Sequence, residues 1–170
     1  MSSILPYRGT TPQIHESVFI AEGARIIGDV VIGRDSSIWF NSVVRGDVHY
    51  IRIGDRTNIQ DNCVLHVTNQ KYALTVGSNV TVGHSAVLHG CTIGDCCIIG
   101  MGAIILDNAF VNSRSFIAAG ALVPENYVVP ERTLVAGVPA KVKRTLTAEE
   151  MSFLEQSAQN YVNYVKTYRE

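Results

Sequence analysis

Three of the chain's five histidines, His66, His84 and His89, fall within a 24-residue window of an otherwise apolar stretch. Neutral imidazole is a common ligand for zinc and similar divalent ions, and its ordinary pKa near 6.5 leaves a lone pair free at neutral pH. The run Val82 to Gly90, VGHSAVLHG, carries two of the three, and His66 lies 18 residues before His84. One histidine in such a stretch would be a satisfied structural residue. Three predict a metal site, provided the chain has elements that bring them together.

Composition narrows what those elements serve. With 170 residues the chain fits one domain with a sizeable core, and its 14 glycines point to many tight corners. The formal net charge is −1 and no lysine or arginine run occurs, which argues against nucleic acid or an anionic membrane as partner. No apolar stretch approaches the roughly 20 residues needed to span a bilayer. The first 25 residues lack a signal peptide's basic-then-apolar order and are interrupted by Pro6, Arg8 and Pro12, so the expected location is the cytoplasm. Cys63, Cys91, Cys96 and Cys97 form no CxxC pair and are expected as small buried residues; were Cys96 and Cys97 in a strand, they would point to opposite faces.

The dominant signal is a six-residue aliphatic ruler: Ile20, Ile26, Ile32, Ile38, Val44; Ile53, Ile59, Leu65; Val76, Val82, Leu88; then Ile93, Ile99, Ile105, Val111, Ile117 and Val123. An amphipathic helix would repeat at three and four, and a hairpin strand at two. A six-residue ruler with β-branched residues and corner glycines describes a parallel β-helix. Three hexapeptides make one coil of a triangular prism, and successive coils stack about 4.8 Å apart.

The ruler slips at Val44 to Ile53, Leu65 to Val76 and Leu88 to Ile93. The first two slips are expected to be loop insertions, since Gly46-Asp47 and Asn69-Gln70-Lys71 are turn material. Counting faces then places Val44, Leu65 and Leu88 on one face, with Arg45, His66 and His89 as an outward ladder. His84 follows Val82, on the preceding face, around a corner. The five-residue step from His84 to His89 spans up to ~16 Å of strand, whereas a metal must lie ~2.1 Å from each nitrogen. Such a metal would take His84 from a second copy, and a heterologous contact on a threefold prism closes as a C3 homotrimer. A different count of the 65–76 step, as two short hexapeptides, puts His66 and His84 on one face instead.

The segments VVRGDVHYIRIG (43–54), TNIQDNCVLHV (57–67) and VTVGHSAVLHGCTIG (80–94) resemble the γ-class carbonic anhydrases of the hexapeptide-repeat superfamily. The similarity runs from about residue 10 to the final helix. It implies a left-handed parallel β-helix, a handedness rare among parallel crossovers, and a homotrimer holding zinc, or iron or cobalt, between subunits. It implies His66, His84 and His89 as ligands, with His84 donated by the neighbour. The implied activity is that of a lyase, the reversible hydration of CO2 to bicarbonate by a metal-bound hydroxide. Gln60 matches the residue beside that hydroxide, and Asn58 the one that orients Gln60. Arg45 and Asp47 match an interface ion pair and bicarbonate-side residues, Asp61 an acidic partner near the ligands, and Tyr161 a residue lining the site. Two features depart from the family's pattern. No acidic loop follows His66, where Val67-Thr68-Asn69-Gln70-Lys71 stands, and Val48 replaces a possible glutamate. Proton export would then rest on buffer or on His49.

We place the β-helix at about 12–136, its strict interval ending at Val123, with Pro124, Pro130 and Pro139 marking an irregular exit. Gly137-Val138-Pro139-Ala140-Lys141 resembles the segment after the β-helix in hexapeptide acyltransferases. Thr147 and Glu150 make a capping box that opens a helix over about 147–168. Its stripe Leu154, Ala158, Tyr161, Val165 and Tyr168 is expected to pack along the prism. Two other functional classes compete with the carbonic anhydrase reading. One is an acyl-CoA transferase or thioesterase; the other is a metal-binding scaffold of low activity.

Overall fold

Residues one hexapeptide apart all turn inward, and those one coil apart stack into a column on the same face. In the computed structural model, which describes residues 3–169, the chain winds as a parallel β-solenoid of about seven coils followed by one helix. Val44, Leu65, Leu88, Ile105 and Val123 are fully buried on one face, and Ile38, Ile59, Val82, Ile99 and Ile117 on another. Burial of each such side chain contributes about 1.5–3 kcal/mol, so the ruler is also the principal source of stability.

The ruler continues past its predicted end. Val129 and Val135 are fully buried in strands Val128–Val129 and Thr133–Ala136, which pair with the coil before them. Pro124 and Pro130 fall just after strands Leu122–Val123 and Val128–Val129, at corners, and do not end the solenoid. The solenoid also begins earlier than residue 12, because Ile4–Leu5 pairs with Ile26–Ile27.

Strands Val64–His66, Val87–His89, Ile104–Ile105 and Leu122–Val123 stack as one face; Leu74–Val76, Thr92–Ile93, Phe110–Val111 and Val128–Val129 stack as a second. The strand Val43–Ile53 belongs to both, and it joins them into one twelve-stranded sheet. Its first end pairs with Val64–Leu65 and its last three residues with Leu74–Val76. Here the predicted loop at Gly46-Asp47 is corrected. The extra residues form a bulge inside a continuous eleven-residue strand, opposite the register shift between Gly28 and Val30. Gly28 has φ +77°, and a Cβ there would lie 2.4 Å from the Gly46 carbonyl oxygen, so the two backbones meet only as glycines.

The third face is an eight-stranded sheet containing Asn58–Ile59 and Thr81–Val82. Val82 pairs with Ile59, and Leu65 with Val44 and Leu88. That register excludes the count that placed His66 and His84 on one face. At the corner leaving this sheet, Asn41, Asn62 and Ser85 have left-handed φ values of 60°, 59° and 60°. Ser85 N–H donates to the Asp61 carbonyl and Gly102 N–H to that of His84, so Asp61 and His84 occupy successive rungs of one corner.

The helix Ala148–Tyr168 opens at Thr147 with the predicted capping box. Leu154, Ala158 and Val165 are buried, Leu154 in a cluster with Ile98, Phe116 and Leu134 of the eight-stranded sheet. Cys63, Cys91 and Cys97 are buried as expected, whereas Cys96 lies in a turn at φ 54°, outside any strand. Among the described residues no helix is long and apolar enough to cross a membrane.

Candidate metal centre

Parallel pairing of Val64–His66 with Val87–His89 puts His66 and His89 in register on adjacent coils. Both side chains point outward because Leu65 and Leu88 between them and the core point in. The rings lie 5.1 Å apart between centroids, and His66 Nδ1 is 3.1 Å from His89 Nε2.

Each imidazole is tied to a carboxylate. His66 Nε2 lies 3.0 Å from Asp47 Oδ1, and the other Asp47 oxygen accepts from the Arg45 guanidinium. The bulge in the Val43–Ile53 strand carries Asp47 to this position. Burial by itself would raise the Asp47 carboxyl, but hydrogen bonds from Arg45 and His66, with the Arg45 charge, hold it below the ordinary carboxylate value. Burial likewise lowers the His66 imidazole from its ordinary value, against the raising effect of Asp47. The shift favours the neutral ring, the form that donates a lone pair. His89 Nδ1 lies 2.6 Å from Asp107 Oδ1, and Thr68 donates to the other Asp107 oxygen.

His84 is placed around the corner, just past strand Thr81–Val82 of the eight-stranded sheet, with its Nδ1 2.6 Å from Asp61 Oδ2. Among the described residues of one chain, no three His, Cys, Asp or Glu side chains converge as a metal cage. A single chain thus brings two of the three histidines together and holds the third apart.

Gln60, buried at 5% exposure, donates through Nε2 to Asn58 Oδ1 at 3.2 Å. Asn58 in turn donates to Thr81 Oγ1, which bonds Ser157 of the helix at 3.0 Å. The expected Asn58–Gln60 contact is present, and it extends into a polar chain running from the helix to the corner that carries Asp61. Tyr161 packs edge-on against Trp39, 5.5 Å between centroids, and lines a cavity of about 430 Å³ with Asp61, His84, Tyr164 and Tyr168. Burial, then the nearby Asp61 charge, raises its phenol. Val48 packs against the core, and His49 contacts Tyr50.

Asp107, Thr68, Thr81 and Ser157 are absent from the sequence-based set. Asp107 had a signal: it stands 18 residues after His89, at a corner of the following coil. The other three have ordinary hydroxyl side chains, whose partners emerge only from register.

The donor set suits a borderline divalent cation: partly buried imidazoles, each with one nitrogen engaged by a carboxylate and one turned away from it. The fold that carries them is a hexapeptide-repeat solenoid. Residues 11–46 match the family model described as bacterial transferase hexapeptide (six repeats). Over 166 residues the chain is 47% identical to a carbonic anhydrase of Geobacillus kaustophilus, covering 98% of this chain and 91% of that one. It is 45% identical to gamma carbonic anhydrase 2, mitochondrial, of Arabidopsis thaliana, over 90% of this chain but only 57% of that protein's length. A Bacillus cereus crystal structure described as a candidate acetyltransferase superposes with a TM-score of 0.95 at 47% identity, covering 97% of this chain and 95% of that one. The chain belongs to the γ-class carbonic anhydrase family of hexapeptide-repeat proteins.

Proposed function

We propose that this protein is a metal-dependent carbonic anhydrase that works as a homotrimer. His66 and His89 of one chain and His84 of the partner subunit would hold one zinc ion at each interface. Iron(II) and cobalt(II) are the alternatives that imidazole donors also accept. The observation that carries this reading is the in-register pair His66 and His89, set beside a third histidine that its own chain keeps at another corner.

A divalent ion with three protein ligands keeps one position open and lowers the pKa of a bound water to about 7. The chain's own groups supply the rest. Asp47 and Asp61 orient the His66 and His84 rings. The Gln60 amide, held through its NH2 by Asn58, leaves its carbonyl oxygen and one N–H to steer the attacking oxygen. Arg45, half-exposed beside Asp47, supplies positive charge where bicarbonate forms. The reaction is CO2 plus water giving bicarbonate and one proton. With no carboxylate in the segment after His66, that proton leaves by buffer.

Stopped-flow CO2 hydration by metal-loaded protein tests the reading, run beside thiol release from acetyl-CoA. Hydration above background that rises with added imidazole is expected. Likeness to the Bacillus cereus structure keeps acyl transfer as the second reading. Brisk thiol release with background hydration would establish acyl transfer instead. Tight metal binding with neither activity would mark a scaffold.

A further inference from the structure

We propose that Asp107 is a positioning residue for the metal centre: it fixes the orientation and tautomer of His89 so that Nε2 faces the ion. The inference rests on the metal-centre reading above and adds a residue outside its ligand and substrate groups.

The geometry is specific. Asp107 Oδ1 lies 2.6 Å from His89 Nδ1, while Oδ2 accepts from the Thr68 hydroxyl. Thr68 follows His66 by two residues, and Asp107 follows His89 by 18, so one carboxylate ties together three successive coils. It is anchored from the coil of the first ligand and delivered to the ring of the second. An imidazole that donates its Nδ1–H to a carboxylate keeps its lone pair on Nε2, and that is the nitrogen 3.1 Å from His66. Gly90 supports the arrangement independently. A Cβ there would lie 2.4 Å from Asp107 Oδ1 and 2.8 Å from Tyr72 Cβ, so the glycine after His89 leaves the space the carboxylate occupies. The short segment Val67 to Lys71, which lacks an acidic residue, thus contributes through Thr68.

The test uses the full chain with Asp107→Ala, Asp107→Asn and Thr68→Val. Nitrogen-15 NMR of the His89 ring in metal-free protein reads the tautomer, and chelator competition reads zinc affinity. The wild type should show protonated Nδ1. Asp107→Ala should mix the tautomers and weaken zinc binding about 10–100-fold, with metal-free melting close to wild type. Asp107→Asn keeps an acceptor for Nδ1–H and should recover most of the affinity. Thr68→Val, which touches neither ring, covers the case in which Asp107→Ala fails to fold; it should weaken zinc binding, and Thr68→Ser should restore it. Wild-type zinc affinity in Asp107→Ala, or an Asp107→Asn variant no better than alanine, overturns the proposal. A wild-type protein that binds no zinc instead overturns the metal-centre reading, while the tautomer measurement still decides whether Asp107 fixes His89.

Discussion

His66 ends a strand of the twelve-stranded sheet, whereas His84 follows a strand of the eight-stranded sheet and bonds Asp61 at 2.6 Å. The two rings of one chain are held by different carboxylates at different corners. A centre that uses both therefore needs two chains. His84→Ala is expected to abolish zinc uptake and loosen the oligomer, because metal binding and assembly are linked. Mixing His84→Ala chains with His66→Ala chains should return part of the zinc content, since some interfaces then combine intact halves. Metal analysis of the mixture checks this, and a mixture as empty as its parents rejects the shared site.

Gln60 stands at the end of a hydrogen-bonded chain that passes through Asn58 and Thr81 to Ser157. Gln60→Leu keeps the bulk and removes the amide. CO2 hydration should fall roughly tenfold, equivalent to about 1.4 kcal/mol of barrier, with zinc content unchanged. Asn58→Ala should follow in the same direction, because it leaves the Gln60 amide without its buried acceptor. Stopped-flow rates normalised to bound zinc decide the matter. Loss of zinc in either variant would show that these residues hold the fold of the corner instead.

Much of this arrangement was legible in the sequence, for a physical reason. In a solenoid, register follows from the repeat, so counting by six from Val44 to Leu65 and Leu88 places their neighbours His66 and His89 side by side. What the count does not give is the local structure where the interval is broken. At Gly46-Asp47 a bulge absorbs the extra residues inside one strand, and turn-forming composition resembles a loop. Beyond Val123 the prolines suggested an end, yet they fall at corners where no strand pair is lost. Asp107 escaped because a carboxylate one coil away carries meaning only once the ring it meets is placed.

Burial sets the behaviour of the thiols. It pushes Cys63 up to about 11 and Cys97 to about 12, and it raises Cys91 as well. All three are neutral at pH 8 in the folded protein. Cys96, half-buried in its turn, is also raised, yet it is the most accessible of the four. An excess of thiol reagent at pH 8 should label Cys96 slowly and the others only in denaturant. The sign of the pH dependence follows. Above the ordinary thiol value of 9.0 the unfolded chain releases protons that the folded chain keeps, so stability should fall as pH rises past 9.0. Urea midpoints between pH 8 and 10 measure it, and replacing Cys91 with alanine should flatten the decline.

Acid acts in the opposite sense at the start of the helix. Glu150 accepts from Arg144 and from the Thr147 backbone N–H, and these bonds lower its carboxyl from 4.5 to about 2. Between those two values the unfolded chain binds a proton that the folded chain does not, so this group's contribution is complete above pH 4.5 and is lost as pH falls toward 2. Glu150→Gln should therefore shift the urea midpoint at pH 6 and leave a shallower acid limb than wild type. Because the pair is solvent-exposed, 1 M salt should shrink the difference between the two proteins. The consequence reaches the Gln60 hydrogen-bonded chain through the helix: Ser157 and Tyr161 lie on the helix that this cap begins, so far-UV circular dichroism and Tyr161 proton spectra should change together in the variant. Parallel acid limbs for the two proteins would show that the cap does not anchor the helix.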